Sequence, residues 1–496
     1  MSDEILLGYD LGTSSVKVTA LEAASGKVIG SATYPKEEMS IVSVQSGWAE
    51  QNPNEWWTNT IEATKEVTEG LDTDKIAAIG IAYQMHGLVA VDVNQQVLRP
   101  SIIWCDSRAV EIGNSAFKEM GEEYCLSHFL NSPGNFTASK LKWVKENEPE
   151  TYAKIHKVML PGDFLAMKMT EQILTTVSGL SEGIMWDFKE KGVAKSLLSH
   201  YGIDDELIPE IVGSFAPQGE LTAKAAAELG LKAGVKVCYR AGDQPNNAFS
   251  LNVLQPGEVA ATAGTSGVVY GITDSPDFDP QSRVNTFVHV NHAKEAARYG
   301  VLLCVNGTGI LNSWFKNNMT GISKMSYEQM NDAISQAPIG SEGLAILPFG
   351  NGAERILENN DISSQIHGLN FNQHNQAHMF RALQEGIVFA LNYGFEIMKG
   401  MGLQMDVVRA GHANMFLSPI FRETFVNVTG AVVELYNTDG SQGAARGAGV
   451  GVGIYSSFQA AFEGLETILT IEPDTAVADQ YKEAYNNWLT ILKQYI

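Results

Sequence analysis

This chain of 496 residues is short of several things, and each shortage closes a possibility. No apolar run approaches the roughly 20 residues that a membrane-spanning helix needs. Cysteine occurs four times, at Cys105, Cys125, Cys238 and Cys304, without metal-ligand spacing. These read as reduced thiols of a cytoplasmic protein, with Cys238 and Cys304 inside strand-like apolar runs. Basic residues are in the minority, 34 Lys and Arg against 57 Asp and Glu, and the net charge of −23 argues against a nucleic-acid binder. Phosphate backbones are gripped by clustered cations, and none cluster here. The acid excess reads as solubility. The opening Met1-Ser2-Asp3-Glu4 is acidic and runs directly into a strand, so no secretion leader is expected. There is no low-complexity tract and no block of like charge.

What is present is a short phrase written twice. Leu6-Leu7-Gly8-Tyr9-Asp10-Leu11-Gly12-Thr13-Ser14 returns as Val259-Ala260-Ala261-Thr262-Ala263-Gly264-Thr265-Ser266-Gly267. Each is an apolar strand ending in Gly-Thr-Ser, and Gly12 and Gly264 are 252 positions apart. Glycine admits close approach to a phosphate, and hydroxyls with successive N–H groups make an anion-binding concavity. A strand follows each turn: Val16-Lys17-Val18-Thr19-Ala20-Leu21 alternates as a half-buried strand does, and Val268-Val269-Tyr270-Gly271-Ile272 is also strand-like. A dinucleotide fold or a P-loop would open a helix there, and neither Gly-x-Gly-x-x-Gly nor Gly-x-x-x-x-Gly-Lys-Ser/Thr occurs. Each turn is therefore expected to be the bend of a hairpin. Two copies in a chain too long for one core point to a duplicated fold with one ligand between the copies.

The rest is consistent with alternating α/β architecture. Three strands open the chain as a meander, and a helix is expected over 48–68, with Asn52-Pro53-Asn54 as its start signal. Ile76–Tyr83 is apolar enough for a buried strand, turned by Gln84-Met85-His86-Gly87. Helices are expected around 109–119 and 137–146. A strand over 235–241 ends in Gly242-Asp243-Gln244-Pro245, with a helix from Pro245 onward. A long helix over 377–401, a strand into Ala410-Gly411-His412, a helix over 418–428 and a small-residue helix over 440–449 complete the chain. The domain join is expected near residue 253, giving domains 1–253 and 254–496.

The Asp-Leu-Gly-Thr-Ser turn, the Gly-Thr-Ser-Gly turn, Gly242-Asp243 and Met85-His86-Gly87, in that arrangement, resemble the FGGY carbohydrate kinase family and, within it, the xylulokinases. Trp104-Cys105-Asp106-Ser107-Arg108 resembles the family's Trp-x-Asp-x-Arg element, and Phe136-Thr137-Ala138-Ser139-Lys140-Leu141-Lys142-Trp143-Val144 resembles a xylulokinase stretch. The likeness spans nearly the whole chain. It implies the two-domain actin-like ATPase (ribonuclease H-like) fold closing on a cleft, and transfer of the γ-phosphoryl of Mg-ATP to a sugar hydroxyl, D-xylulose giving D-xylulose 5-phosphate. Many members of the family are dimers, so a homodimer is the expectation; no nucleic acid or membrane partner is implied.

The family's catalytic base maps to Asp243. It stands at the carboxyl end of a strand, where ligands collect in open α/β sheets, and a carboxylate there can take a hydroxyl's proton. On residues alone, a helix N-cap is the stronger reading of the same aspartate. Asp10 maps to the Mg²⁺ organiser, with an Asx-type turn as the alternative. Gly12, Thr13 and Ser14, with Gly264, Thr265 and Ser266, map to the phosphate turns, though Gly-rich pairs also make plain hairpins. Lys17 reads equally as a phosphate neighbour and as a solvent-facing strand residue. Gly411 and Asn414 map to the adenosine turn, where His412 departs from the usual glycines. Met85 and His86 map to the ketose contact, with Gln244 offering an amide to a hydroxyl; a lone turn histidine is more often structural. Asn135 departs from the usual Gly, and Ser178-Gly179-Leu180-Ser181-Glu182-Gly183 departs from a usual Ser-Asp-Ala-Ser-Gly-Thr. Trp104, Trp186, Trp56 and Trp57 read as core or helix-face aromatics, Trp104 alternatively as a flank of the sugar. Arg108 reads as an ion-pair partner and Arg355 as a loop fixture. The rivals are kinases for ribulose, gluconate or glycerol, and a non-catalytic actin-like filament former or sugar sensor.

Overall fold

A computed structural model describes residues 3–319 and 325–496; Met1 and Ser2, part of the acidic opening, lie outside the described residues. The chain divides into two compact units. The first holds the chain up to Asn252, with Phe287–Tyr299 and Thr438–Leu465. The second holds Val253–Thr286, Gly300–Asn437 and Glu466–Ile496.

At the centre of the first unit is a sheet of β1 (Ile5–Leu11), β2 (Val16–Glu22), β3 (Val28–Tyr34), β4 (Ile76–Tyr83) and β5 (Lys236–Gly242). Their order across the sheet is β5-β4-β1-β2-β3. β1 and β2 pair antiparallel from Ile5↔Glu22 to Leu11↔Val16, so the first Gly-Thr-Ser turn is the bend of a hairpin. β4 and β5 run parallel to β1. Near-continuous burial of β1 and β4 is what a sheet covered on both faces requires. One face packs on the Pro53–Thr68 helix, which buries Trp56 and Trp57 as core aromatics. This helix starts later than position 48, because Asn52 caps it and Pro53 takes its first turn.

The other face carries the Gly440–Gly451 helix, and here small size decides the packing. A Cβ on Gly8 would lie 1.8 Å from the Ser441 carbonyl oxygen, and one on Gly80 would lie 2.0 Å from that of Ala444. Backbone therefore rests on backbone. This helix belongs to the first unit although it follows most of the second in sequence. The division into 1–253 and 254–496 thus misses two returns of the chain, 287–299 and 438–465, because the bare strip on β1 and β4 is filled by a helix encoded far downstream.

The second unit has its own sheet, with β6 (Val259–Ala263), β7 (Gly267–Thr273), β8 (Tyr299–Val305), β9 (Val407–Gly411), β10 (Val432–Tyr436) and β11 (Thr467–Ile471). Five of these strands lie in the order β10-β9-β6-β7-β8. β6 and β7 form an antiparallel hairpin around the second turn, and β9 and β10 run parallel to β6. Position for position, this is the arrangement of the first unit. The core is filled by the 25-residue helix Gln376–Gly400, whose Phe380, Leu383, Ile387, Leu391, Phe395 and Met398 are buried. Among the described residues, no helix is long and apolar enough to cross a membrane.

Candidate active site

In the first unit, the carboxyl ends of β1, β4 and β5 lie side by side: Asp10 pairs with Ala82, and Tyr83 with Gly242. The residues leaving these ends are Gly12–Ser15, Gln84–Gly87 and Asp243. Parallel strand ends are where open α/β sheets hold ligands.

Asp243 is the first residue of the Asp243–Ser250 helix, two positions earlier than Pro245, and its N-cap is Gly242. The aspartate is therefore not the cap. Its carboxylate takes hydrogen bonds from the backbone and side chain of Gln244, at the positive end of the helix. Burial, followed by the charge of Asp10, pushes its pKa up to about 7. With the Gln244 amide donating to Asp243, its Oε1 is buried without a hydrogen-bond partner among the described residues. Gly242 has to be glycine: a Cβ there would lie 2.4 Å from Glu182 Oε2 and 2.6 Å from Met85 Cγ.

Asp10 is pushed up to about 6 by burial and by Asp439, with Lys17 pulling the other way. Lys17 is a strand residue with a partly exposed side chain, as one of its two readings had it, and it pairs with Asp439 at 2.7 Å. Asp439 caps the Gly440–Gly451 helix, and the bare Cα of Gly440 leaves room for the Asp10 carboxylate. The Asp10 carboxylate is a hard-oxygen donor of the kind suited to Mg²⁺, which takes one or two carboxylates and keeps waters. Among the described residues, no three His, Cys, Asp or Glu enclose a metal site, so phosphate oxygens and water would have to complete it.

His86 has a left-handed backbone, with φ of 62°, and its Nδ1–H donates to the Glu182 carbonyl at 2.8 Å. Lys140, fully buried, donates to the carbonyls of His86 and Ile103 at 3.0 and 2.9 Å. Burial lowers its pKa to about 7. Met85 is buried behind the turn. The first phosphate turn closes through Gly12 N–H to the Ser15 carbonyl at 2.9 Å, while Ser14 is exposed. Thr13 donates to Gln84 Oε1 at 3.3 Å and accepts from the Trp104 indole at 2.9 Å. Trp104 is 46% exposed, so it is not a core aromatic; its N–H is spent on the turn and its ring is left open. Arg108 is the expected ion-pair residue, held by Asp106 and Glu50. Asn135 donates to the Asp106 carbonyl.

The second unit brings Gly264, Thr265 and Asn414 together in the wall of a cavity of about 530 Å³. The Gly309–Met319 helix is stitched to the turn, since Gly309 and Ile310 N–H donate to the Gly264 and Thr265 carbonyls at 2.9 and 3.1 Å. Ser266 and Gly411 do not line this cavity, nor does His412, whose N–H donates to the Tyr436 carbonyl at 2.8 Å. The departure at His412 therefore leaves this cavity unchanged. Arg355 begins a short 3-10 turn, and its neighbour Glu354 holds the Asn306 and Gly307 N–H groups ahead of the helix.

Residue types and strand ends pointed to Asp10, Asp243 and Gly264. They gave no warning of Glu182, Lys140 or Asp439, which are brought to the site by helices and loops whose pattern looks structural. The available signals were the departure at 178–183, which holds Glu182, and the family-like stretch 136–144, which holds Lys140.

Residues 5–250 match the FGGY family of carbohydrate kinases, N-terminal domain. The chain is 32% identical over 414 residues to a xylulose kinase of Bacillus subtilis, covering 81% of this chain and 79% of that protein. A xyloylose kinase from Brucella ovis superposes with a TM-score of 0.89 at 24% identity, covering 99% of both chains. A gluconate kinase from Lactobacillus acidophilus does so with a TM-score of 0.90 at 21% identity, covering 99% of this chain and 98% of that one. Those two likenesses speak for the fold alone. Taken with the sequence match, they leave one assignment: the chain belongs to the FGGY family of carbohydrate kinases.

Proposed function

We propose that this kinase transfers the γ-phosphoryl group of ATP to D-xylulose, giving D-xylulose 5-phosphate and ADP. The observation that carries the reading is the setting of Asp243, a buried carboxyl at a strand end whose pKa is pushed up to about 7, directly after the Gly242 that packs on Met85 and beside a buried Gln244 oxygen that lacks a donor. A ketose hydroxyl supplies that donor. In this reading Asp243 takes the proton as the hydroxyl oxygen bonds to phosphorus and the bond from phosphorus to the bridging oxygen of ADP breaks. A base with a pKa near the working pH suits that transfer. His86 holds a second hydroxyl.

Asp10 would hold Mg²⁺, directly or through water, and the ion would supply charge that offsets the phosphates. Within the first unit, Gly12, Thr13 and Ser14 would receive phosphate oxygens; within the second, the turn at Gly264 and Thr265, with Asn414, would take the nucleotide. The pentulose, rather than gluconate or glycerol, is supported by the Met85-His86 turn and by the identity to a xylulose kinase; the fold is shared with a gluconate kinase and does not discriminate. A coupled ADP-release assay over D-xylulose, ribulose, gluconate and glycerol tests it. D-xylulose should give the highest kcat/KM, and a higher value for any other acceptor would replace the substrate while leaving the kinase chemistry in place.

A further inference from the structure

The turn that presents His86 is held by a side chain outside the reacting groups. Lys140 stands in the first turn of the Thr137–Asn147 helix and is fully buried. Its ammonium donates to the His86 carbonyl at 3.0 Å and to the Ile103 carbonyl at 2.9 Å. The Ile103 carbonyl is a fixed point, since it also takes the Asp106 N–H at 3.2 Å and closes the turn that carries Trp104. Two carbonyls from separate segments thus converge on one side chain, and an ammonium, with three donors, serves both.

The rest of His86 is held by other groups. Its Nδ1–H goes to the Glu182 carbonyl at 2.8 Å, and Phe136 and Phe287 lie against the ring, with centroids 4.8 and 5.6 Å away. These contacts set the plane of the imidazole, while Lys140 holds the backbone from which it projects. That backbone is left-handed, with φ of 62°, a conformation that a residue with a Cβ keeps only where its surroundings enforce it. Hydrogen bonds from a charged donor are the stronger kind and suit that task. Burial works against an ammonium and lowers the pKa of this one to about 7, so an ammonium is not what packing alone would select there.

We infer that Lys140 is a positioning residue for the acceptor sugar: by bonding the His86 carbonyl it sets the direction of the imidazole, and so governs the sugar KM without touching the sugar. The inference rests on the proposal that His86 holds a sugar hydroxyl.

Steady-state kinetics on Lys140→Met, His86→Ala and the double variant test it, with the acceptor of highest kcat/KM in the panel, D-xylulose on the proposed reading. Methionine fills the place of the stem and donates nothing. Lys140→Met should raise the sugar KM about fivefold, with kcat at saturating sugar and the ATP KM within about twofold. In the double variant the sugar KM should stay within about twofold of that of His86→Ala alone, because both changes remove one contact. Multiplied effects, equal rises in both KM values, or an unchanged sugar KM in Lys140→Met would overturn the positioning role while leaving His86 on the sugar. An unchanged sugar KM in His86→Ala would take away the sugar contact itself, and the inference with it. If Lys140→Met yields no folded protein, Lys140→Gln, which keeps an amide donor, carries the same cycle and is read by the same outcomes.

Discussion

The Gly12–Ser15 turn and the Gly264–Ser266 turn leave equivalent hairpins in sheets of equivalent strand order, but they keep different company. Around the first stand ionisable groups out of their ordinary ranges: Asp10 at about 6, Asp243 at about 7 and Lys140 at about 7. Around the second are amides, hydroxyls and apolar side chains, with no Asp, Glu, Lys or Arg in the cavity wall among the described residues. The helices that cover the two sheets differ in the same sense. The first is covered by a small-residue helix that brings Gly440 backbone against Asp10, the second by a long helix of bulky apolar residues. On the proposed reading, the duplicated scaffold is divided between reaction and recognition: the tuned carboxylates of the first unit would move the proton, and the neutral polar wall of the second would bind the nucleotide without altering its charge.

Asp243→Asn should break this contrast most sharply. The amide keeps the shape but cannot accept a proton, so kcat for sugar phosphorylation should fall about a thousandfold, with ADP affinity within twofold. In the wild type, kcat/KM for the sugar should decline as pH falls below about 7, where Asp243 of the free enzyme becomes protonated. Stability should move the opposite way. Between about pH 4 and 7 the native Asp10 and Asp243 hold protons that their unfolded counterparts have released, so stability falls as pH rises through that window. Asp243→Asn, free of that charge, should melt a few degrees higher than the wild type at pH 8. Full turnover, or a loss of melting temperature, would move Asp243 from chemistry to structure.

His86→Ala comes next. It removes the proposed hydroxyl partner while Met85, Lys140 and the turn remain, so the sugar KM should rise about tenfold and the ATP KM stay within twofold in steady-state assays. Equal rises in both would reduce His86 to a fixture of the turn.

Much of the fold was legible in the sequence because it is written locally. The repeated Gly-Thr-Ser phrase gave both hairpins, and the apolar run of β4 and the Asn52 cap gave their elements within a few residues. The recruitment of the Gly440–Gly451 helix into the first unit was not legible, since the cavity it fills is made by Gly8 and Gly80, and no local pattern links them to it. Of the candidate site, Asp10 at the end of β1, Asp243 at the start of its helix and Asn414 belong to short motifs that the sequence itself displays. Glu182 and Lys140 do not, because burial at the strand ends gives them their character, and burial comes from packing. For Trp104 the sequence left core and sugar-flanking readings open; its exposure excludes the core, and its N–H is tied to Thr13.

The smallest effect should come from the second turn itself, and it asks whether that turn matters to the ligand or only to the hairpin. A Cβ on Gly264 would meet nothing closer than Asn414 Nδ2 at 3.6 Å, an ordinary contact, and its backbone is not in the left-handed region. The fold therefore has no need of glycine there, unlike at Gly8. If the bare Cα serves the approach of a phosphate, Gly264→Ala should leave the thermal midpoint unchanged within error and raise the ATP KM about fivefold, with the sugar KM unaffected. An unchanged ATP KM would mean that only the first turn binds phosphate and that the repeated phrase survives in the second unit as hairpin chemistry alone. A drop in melting temperature would mean the methyl group is resisted by the protein before any ligand arrives.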